Sequence, residues 1–508
     1  MFIFEAILVL LFCAALLSML ARRLNVAYPT LLALGGIGVA LIPGTPRLDL
    51  PPDLILALFV APVLLDAAYD TSLRDLRKNW RAVLSLVFVV VGLTTATVAV
   101  VAKCFLPDLP WGAAIALGAL LAPPDAVAAL AVLRQVAPPH QIRTILEGES
   151  LLNDASSLLI YKLAVGAVAI GGFSAHQAMP AFALVTFGSV LAGWVLAKVF
   201  LRVLGSILDA PTATIIQFVV TFGVWILAEH LGLSGVVTIV VFGLTAARRR
   251  TSSAKSHVRI LSNSTWEVVT FVLNVLAFTL IGLQVRPIFE VFAEGERYHL
   301  LGVALAILGV VVVVRLAWIL VYGFARDQAA SQRPNLLYNA KTRLLIGWSG
   351  MRGIVTLAAA LALPVEFPYR DFILLTAFTV VLGTLVIQGL TLRPLLLWLN
   401  LPSDNTVKDE LAIARGATLE AAMAELDHHG GDAARRLKLE YQDALSEVRD
   451  GRDPRESVDH SLRRRVVPAS RQALDELRES GRIGDEAYRA VERELDLLEL
   501  SSRVPSPP

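Results

Sequence analysis

Residues 111–133 read WGAAIALGALLAPPDAVAALAVL, an apolar run of membrane-spanning length with Pro123, Pro124 and Asp125 at its middle. About twenty apolar residues in a helix cross the roughly 30 Å of hydrocarbon in a bilayer. Two successive prolines remove two backbone donors in mid-span, so the helix must break where the charge sits. The freed carbonyls beside Asp125 are then available to a ligand at membrane depth.

The chain keeps this character as far as about residue 400. Of its 508 residues, 56% are hydrophobic, more than a soluble domain usually carries. About thirteen candidate spans lie near 2–20, 28–43, 53–69, 82–105, 111–133, 144–170, 180–201, 212–231, 233–247, 266–286, 299–324, 343–364 and 371–399. The opening run from Met1 to Leu20 reads as the first span and not as a signal peptide. Its charges, Arg22 and Arg23, follow the apolar run, and no small-residue cleavage site comes after it. Cys13 and Cys104 both sit in apolar runs, which argues against a disulfide scaffold or a thiolate metal site. After Leu401 the composition turns to Glu, Arg, Asp and Ala. The expected organisation is a transmembrane domain over 1–400 and a soluble helical tail over 401–508.

The basic residues orient the chain. With the N-terminus outside, one set of loops holds Arg22-Arg23, the run Arg74 to Arg81, Arg134, Arg143, Arg202, Arg248-Arg249-Arg250, Lys255, Arg259 and Arg326 to Arg343. The opposite set holds Arg47, Arg286, Arg297 and Arg370. That bias of about eighteen to four puts the rich set, and the tail, in the cytoplasm. The formal net charge of +2 gives no sign of a nucleic-acid partner.

A second span is broken at Ser349-Gly350-Met351-Arg352-Gly353. The two breaks fall in spans five and twelve, seven apart, so spans one to six read as repeated in eight to thirteen. Matched interruptions of this kind point to an inverted-repeat transporter with its site near the midplane. The fold class expected is therefore an all-α polytopic membrane protein with inverted repeats and two interrupted, crossing helices.

A charge at the bilayer centre costs about 2.5–3.5 kcal/mol on insertion scales, so each one needs a partner or a task. The candidates are Asp66, Asp125, Glu149, Asp154, Glu267, Arg315 and Arg352. The richest stretch is EGESLLND, residues 147–154. On a helix, Glu149 and Asn153 share one face, and Ser150 and Asp154 share the neighbouring one. Carboxylate, amide, hydroxyl and carbonyl oxygens are the ligands a hard cation such as Na⁺ prefers. Structural tasks compete: Asp125 suits a helix cap, and Glu267 suits pairing with Arg259. Arg352 suits either a helix-dipole end or a carboxylate partner.

APPDAVA at 122–128 and GESLLND at 148–154, with LLDA at 64–67 and GMRG at 350–353, resemble the NhaP/NHE cation–proton antiporters over roughly residues 1–400. The resemblance implies that Asp154 holds either Na⁺ or H⁺, never both. Asn153, Ser150, Asp66 and the carbonyl of Pro124 would complete the site, with Asp125 close by; Na⁺ would meet Asp154, Ser150 and Asp66. Many relatives carry Thr where Pro124 stands, and proline offers no hydroxyl. The Asn153-Asp154 pair implies electroneutral one-for-one exchange, and Glu149 with Arg315 implies a structural ion pair. The resemblance also implies a homodimer in the lipid of the inner membrane, serving pH and sodium homeostasis. It implies no enzymatic activity and no cofactor, the substrates being Na⁺ (or Li⁺) and H⁺.

K⁺ in place of Na⁺ is the first alternative, since the same oxygens bind both. A Na⁺-coupled solute symporter is a second. A channel is disfavoured because no repeated filter motif is present. In the tail, apolar residues from Leu411 to Val448 and from Leu474 to Leu498, Ile483 among them, recur at helical spacing. About four amphipathic helices are expected there, as a regulatory or dimer-contacting module or as a solvated, partly ordered tail.

Overall fold

The computed structural model describes residues 2–42, 51–133, 138–170, 175–204, 209–247, 256–292, 294–329, 340–401, 404–454, 458–480, 482 and 485–502. Arg47, Arg134, Arg248 to Arg250, Lys255 and Ile483 lie outside the described residues, as do the side chains of Arg259 and Arg326. Two compact units form, Met1–Pro402 and Ser403–Pro508.

In the first unit α1 (Phe2–Leu24), α2 (Tyr28–Ala40), α3 (Pro52–Ile55) and α4 (Ala61–Asp70) come first, and a π-helical turn at Leu56–Val60 joins the last two. That turn stands just before Pro62, which cannot donate to the helical ladder. α5 (Leu73–Lys78) and α6 (Trp80–Leu84) lead through a second π-helical stretch, Ser85–Val90, into α7 (Val91–Phe105). α8 (Trp111–Leu121) and α9 (Ala126–Leu133) flank the first break. Then follow α10 (His140–Ile170), α11 (Ala175–Leu204), α12 (Ala210–His230) and α13 (Gly235–Ala247). After them come α14 (Ser256–Leu283), α15 (Val285–Glu290) and α16 (Glu294–Ala329). α17 (Ala340–Trp348) and α18 (Ile354–Leu361) flank the second break, and α19 (Arg370–Leu399) ends the unit.

No strand occurs among the described residues. Seven helices there are long and apolar enough to cross a membrane, and Tyr28–Ala40, Trp111–Leu121 and Gly235–Ala247 are shorter apolar helices. Helices run past the hydropathy limits: α10 starts at His140 and α16 at Glu294. Hydropathy marks where lipid begins, whereas backbone hydrogen bonding carries a helix on into the polar margin. α11 turns Leu184, Phe187 and Leu191 outward, as lipid permits. α19 is apolar on all sides and buried along most of its length, so it forms the centre against which α8, α9, α17 and α18 pack.

The second unit holds α20 (Thr406–Leu426), α21 (Asp432–Arg449), α22 (Val458–Glu479) and α23 (Asp485–Ser502). They pack as α20 on α21 and α22 on α23. Arg471 bridges Asp496 at 2.5 Å and Glu499 at 2.8 Å, and the Tyr488 hydroxyl donates to Asp475 at 2.7 Å.

Candidate functional site

The two breaks meet. The Asp125 N–H donates to the Met351 carbonyl at 2.6 Å, so the gap between α8 and α9 lies against the gap between α17 and α18. Each break leaves carbonyls without helical partners. At the end of α8, Arg352 donates from Nε to Leu121 O at 3.0 Å and from Nη2 to Ala122 O at 3.3 Å. At the end of α17, Arg315 donates to Gly347 O and Ile346 O, both at 3.2 Å. Each guanidinium thus sits at the negative pole of a half-helix. The carbonyls that Arg352 meets belong to a helix end about 230 residues upstream.

Arg315 also grips Glu149 through both its Nη atoms, one at 2.8 Å from Oε2 and the other against Oε1. Both side chains are buried to within 1%. A planar guanidinium is needed to serve a carboxylate and two carbonyls together.

At the opposite poles, the Asp125 carboxylate accepts from Val127 N–H at 2.8 Å and caps α9. It also lies against Gly353, at the start of α18, where a Cβ would collide with it. Two positive helix ends therefore face one carboxylate, which is half-buried.

α10 delivers its residues on two faces. Asn153 donates to Pro124 O at 3.3 Å, Ser157 to Ala119 O at 2.6 Å and Tyr161 to Ala359 O at 2.9 Å. With Glu149 these residues form a ladder at intervals of four, tying α10 to both broken helices. Sequence reasoning missed Ser157 and Tyr161, although that same interval of four is visible in the sequence. The neighbouring face carries Ser150 and Asp154 into a cavity of about 830 Å³. Asp66 on α4, Pro124 and Asp125 line the same cavity. No three carboxylate, imidazole or thiol groups converge there or elsewhere among the described residues, as a multivalent metal centre would require.

Glu267, read from sequence as better suited to pairing with Arg259, lines this cavity from α14. Glu147, Asp70 and Arg22 line it as well. The cavity's carboxylates outnumber its cations, which favours entry of a cation.

Where α10 starts, outside the apolar stretch, His140 Nε2 lies 3.2 Å from Asp75, and Gln141 donates to Asn79 at 2.9 Å. Partial burial pushes the Asp75 carboxyl up. Hydrogen bonds with Ser72 and His140 and the charge of Arg74 outweigh it and hold the group below the usual carboxylate range.

Comparison with known proteins adds the context. The family described as "Sodium/hydrogen exchanger, transmembrane" matches residues 7–398. The chain is similar to a "Sodium, potassium, lithium and rubidium/H(+) antiporter" of Bacillus pumilus, at 32% identity over 78% of this chain and 61% of that protein. The chain thus spans less than two thirds of that relative. A protein of the same description from Bacillus subtilis is 30% identical over 98% of this chain and 78% of its own length. Among solved structures, the sodium proton antiporter MjNhaP1 of Methanocaldococcus jannaschii at pH 8 superposes with a TM-score of 0.59. That match has 18% identity and covers 78% of this chain and 99% of that one, a likeness of fold.

Proposed function

The chain belongs to the sodium/hydrogen exchanger family, and from that premise we propose that it exchanges Na⁺ for H⁺ by competition of the two ions at Asp154. A member of this family is a membrane-spanning transporter and not an enzyme; its substrates are transported ions and it needs no cofactor. The observation that carries the assignment of the site is the cavity that gathers Asp154, Ser150, Asp66 and Pro124 beside the two breaks. Na⁺ binds the Asp154 carboxylate, the Ser150 hydroxyl, Asp66 and the Pro124 carbonyl, while Asn153 holds that carbonyl segment in place. Asp125 stands close by in the same cavity, its carboxylate also capping α9. When Na⁺ leaves, Asp154 takes a proton, and the neutral site moves between faces.

The carrier has about thirteen spans arranged as inverted repeats, and the breaks at 122–125 and 349–353 are the matching members. The positive-inside bias puts the tail in the cytoplasm, and on the same side the loop ends that carry Arg22 and Asp70, which line the cavity. Exchange is electroneutral, one Na⁺ for one H⁺, because Asn153 cannot carry a second proton. The protein works as a homodimer in the inner membrane, maintaining cytoplasmic pH and sodium.

K⁺ is the second substrate reading, favoured by the potassium and rubidium in the descriptions of the Bacillus relatives. The test is dequenching of a pH-sensitive dye in everted vesicles on adding Na⁺, Li⁺ or K⁺, with Asp154→Asn as control. Dequenching by Na⁺ that disappears in the variant is the expected result. A response to K⁺ alone changes the substrate, and a variant that still exchanges removes Asp154 from the mechanism.

A further inference from the structure

Across the cavity from α10, one face of α14 contributes Glu267, Thr270, Phe271, Asn274 and Phe278 to the wall. The stretch from Val268 to Leu283 reads VVTFVLNVLAFTLIGL, with polar side chains only at Thr270, Asn274 and Thr279. Thr270 donates to Trp266 O at 3.0 Å and Thr279 to Val275 O at 2.8 Å, so both hydroxyls are satisfied within their own helix. The Asn274 side chain makes no hydrogen bond to a described residue. Its side chain is half-buried and lines the cavity. Phe278, one turn deeper, is buried and apolar, so Asn274 is the last polar group on this wall.

An amide held at membrane depth without a partner among the described residues is costly unless something in the cavity meets it. A cavity of about 830 Å³ admits a cation still carrying part of its water shell. Glu267 lies two turns nearer the helix start, roughly 10 Å along the axis, at an exposed position. Oxygen ligands thus line the way inward, first a carboxylate and then an amide.

We propose that Asn274 is a further cation-contacting residue, its amide oxygen replacing a hydration water of the monovalent cation on the way to Asp154. A neutral oxygen on the wall facing the carboxylates favours the ion that gives up that water more readily, so Asn274 sets preference among Li⁺, Na⁺ and K⁺. The inference rests on the exchange reading given above, and its test separates the two.

Asn274→Ala and Asn274→Gln are measured in everted vesicles for apparent KM with Na⁺, Li⁺ and K⁺. The purified proteins are measured for the cation concentration that half-maximally raises the melting temperature. In the Ala variant the apparent KM for Na⁺ should rise about three- to tenfold, the worth of one polar contact. The order of the three ions should change, the melting midpoint should move by a like factor, and Gln should restore part of both. Unchanged midpoints and unchanged ion order in a folded Ala variant overturn the proposal. Wild-type vesicles that exchange nothing overturn the exchange reading, while the melting midpoints still decide the Asn274 contact.

Discussion

Arg315 and Glu149 are buried together, and the arginine also holds the last carbonyls of α17. Removing one partner of a buried pair leaves a charge without compensation, a loss of about 3–5 kcal/mol. Arg315→Ala should therefore lower the melting temperature of the purified protein sharply and reduce its yield in the membrane. Arg315→Lys should recover little of this, because an ammonium cannot reach a carboxylate and two carbonyls in one plane. Asp154→Asn should behave in the opposite way, folding normally while exchange is lost, because no protein group depends on Asp154 for its pairing among the described hydrogen bonds. A melting curve beside a transport assay distinguishes the two roles.

At the scale of elements, the contact between the two breaks sets the tolerances. Gly353→Ala puts a Cβ into the Asp125 carboxylate, and Asp125 cannot retreat without giving up its cap on α9. Exchange should fall by at least tenfold in that variant, whereas Gly302→Ala, on α16 with open space around it, should leave transport near wild type. Arg352→Ala should strand the carbonyls of Leu121 and Ala122 at the end of α8, and lower both stability and exchange. The junction of α5 and α10 makes a milder case. The Asp75 carboxyl is held below its ordinary range, so its contribution is present above about pH 4 and is lost as pH falls through its folded value. Asp75→Asn should cost up to about 1 kcal/mol at neutral pH, and the difference in melting temperature should close on acidification.

At the scale of the whole molecule, electroneutral exchange predicts a rate indifferent to membrane potential. Clamping the potential with valinomycin and varied K⁺ in Na⁺-loaded vesicles should leave the proton flux unchanged; a flux that follows the potential would remove the one-for-one stoichiometry. The apolar runs, the prolines at 123 and 124, the glycines around Arg352 and the EGESLLND stretch were all legible in the chain, because membrane spans and their interruptions are local properties of composition. The face that Glu149 and Asn153 share, and the one that Ser150 and Asp154 share, followed from helical spacing alone. Which carbonyls the two arginines meet was not legible, nor why residue 353 must lack a Cβ, nor that Glu267 and Asn274 look into the same cavity as Asp154. In water, a helix declares its buried face by its apolar residues. In lipid, the core and the solvent are both apolar, so the pattern marks a span without saying which side packs inward. Composition therefore determined that this protein crosses the membrane and where its helices break, and only the packing of helices far apart in the chain decided which groups face one another.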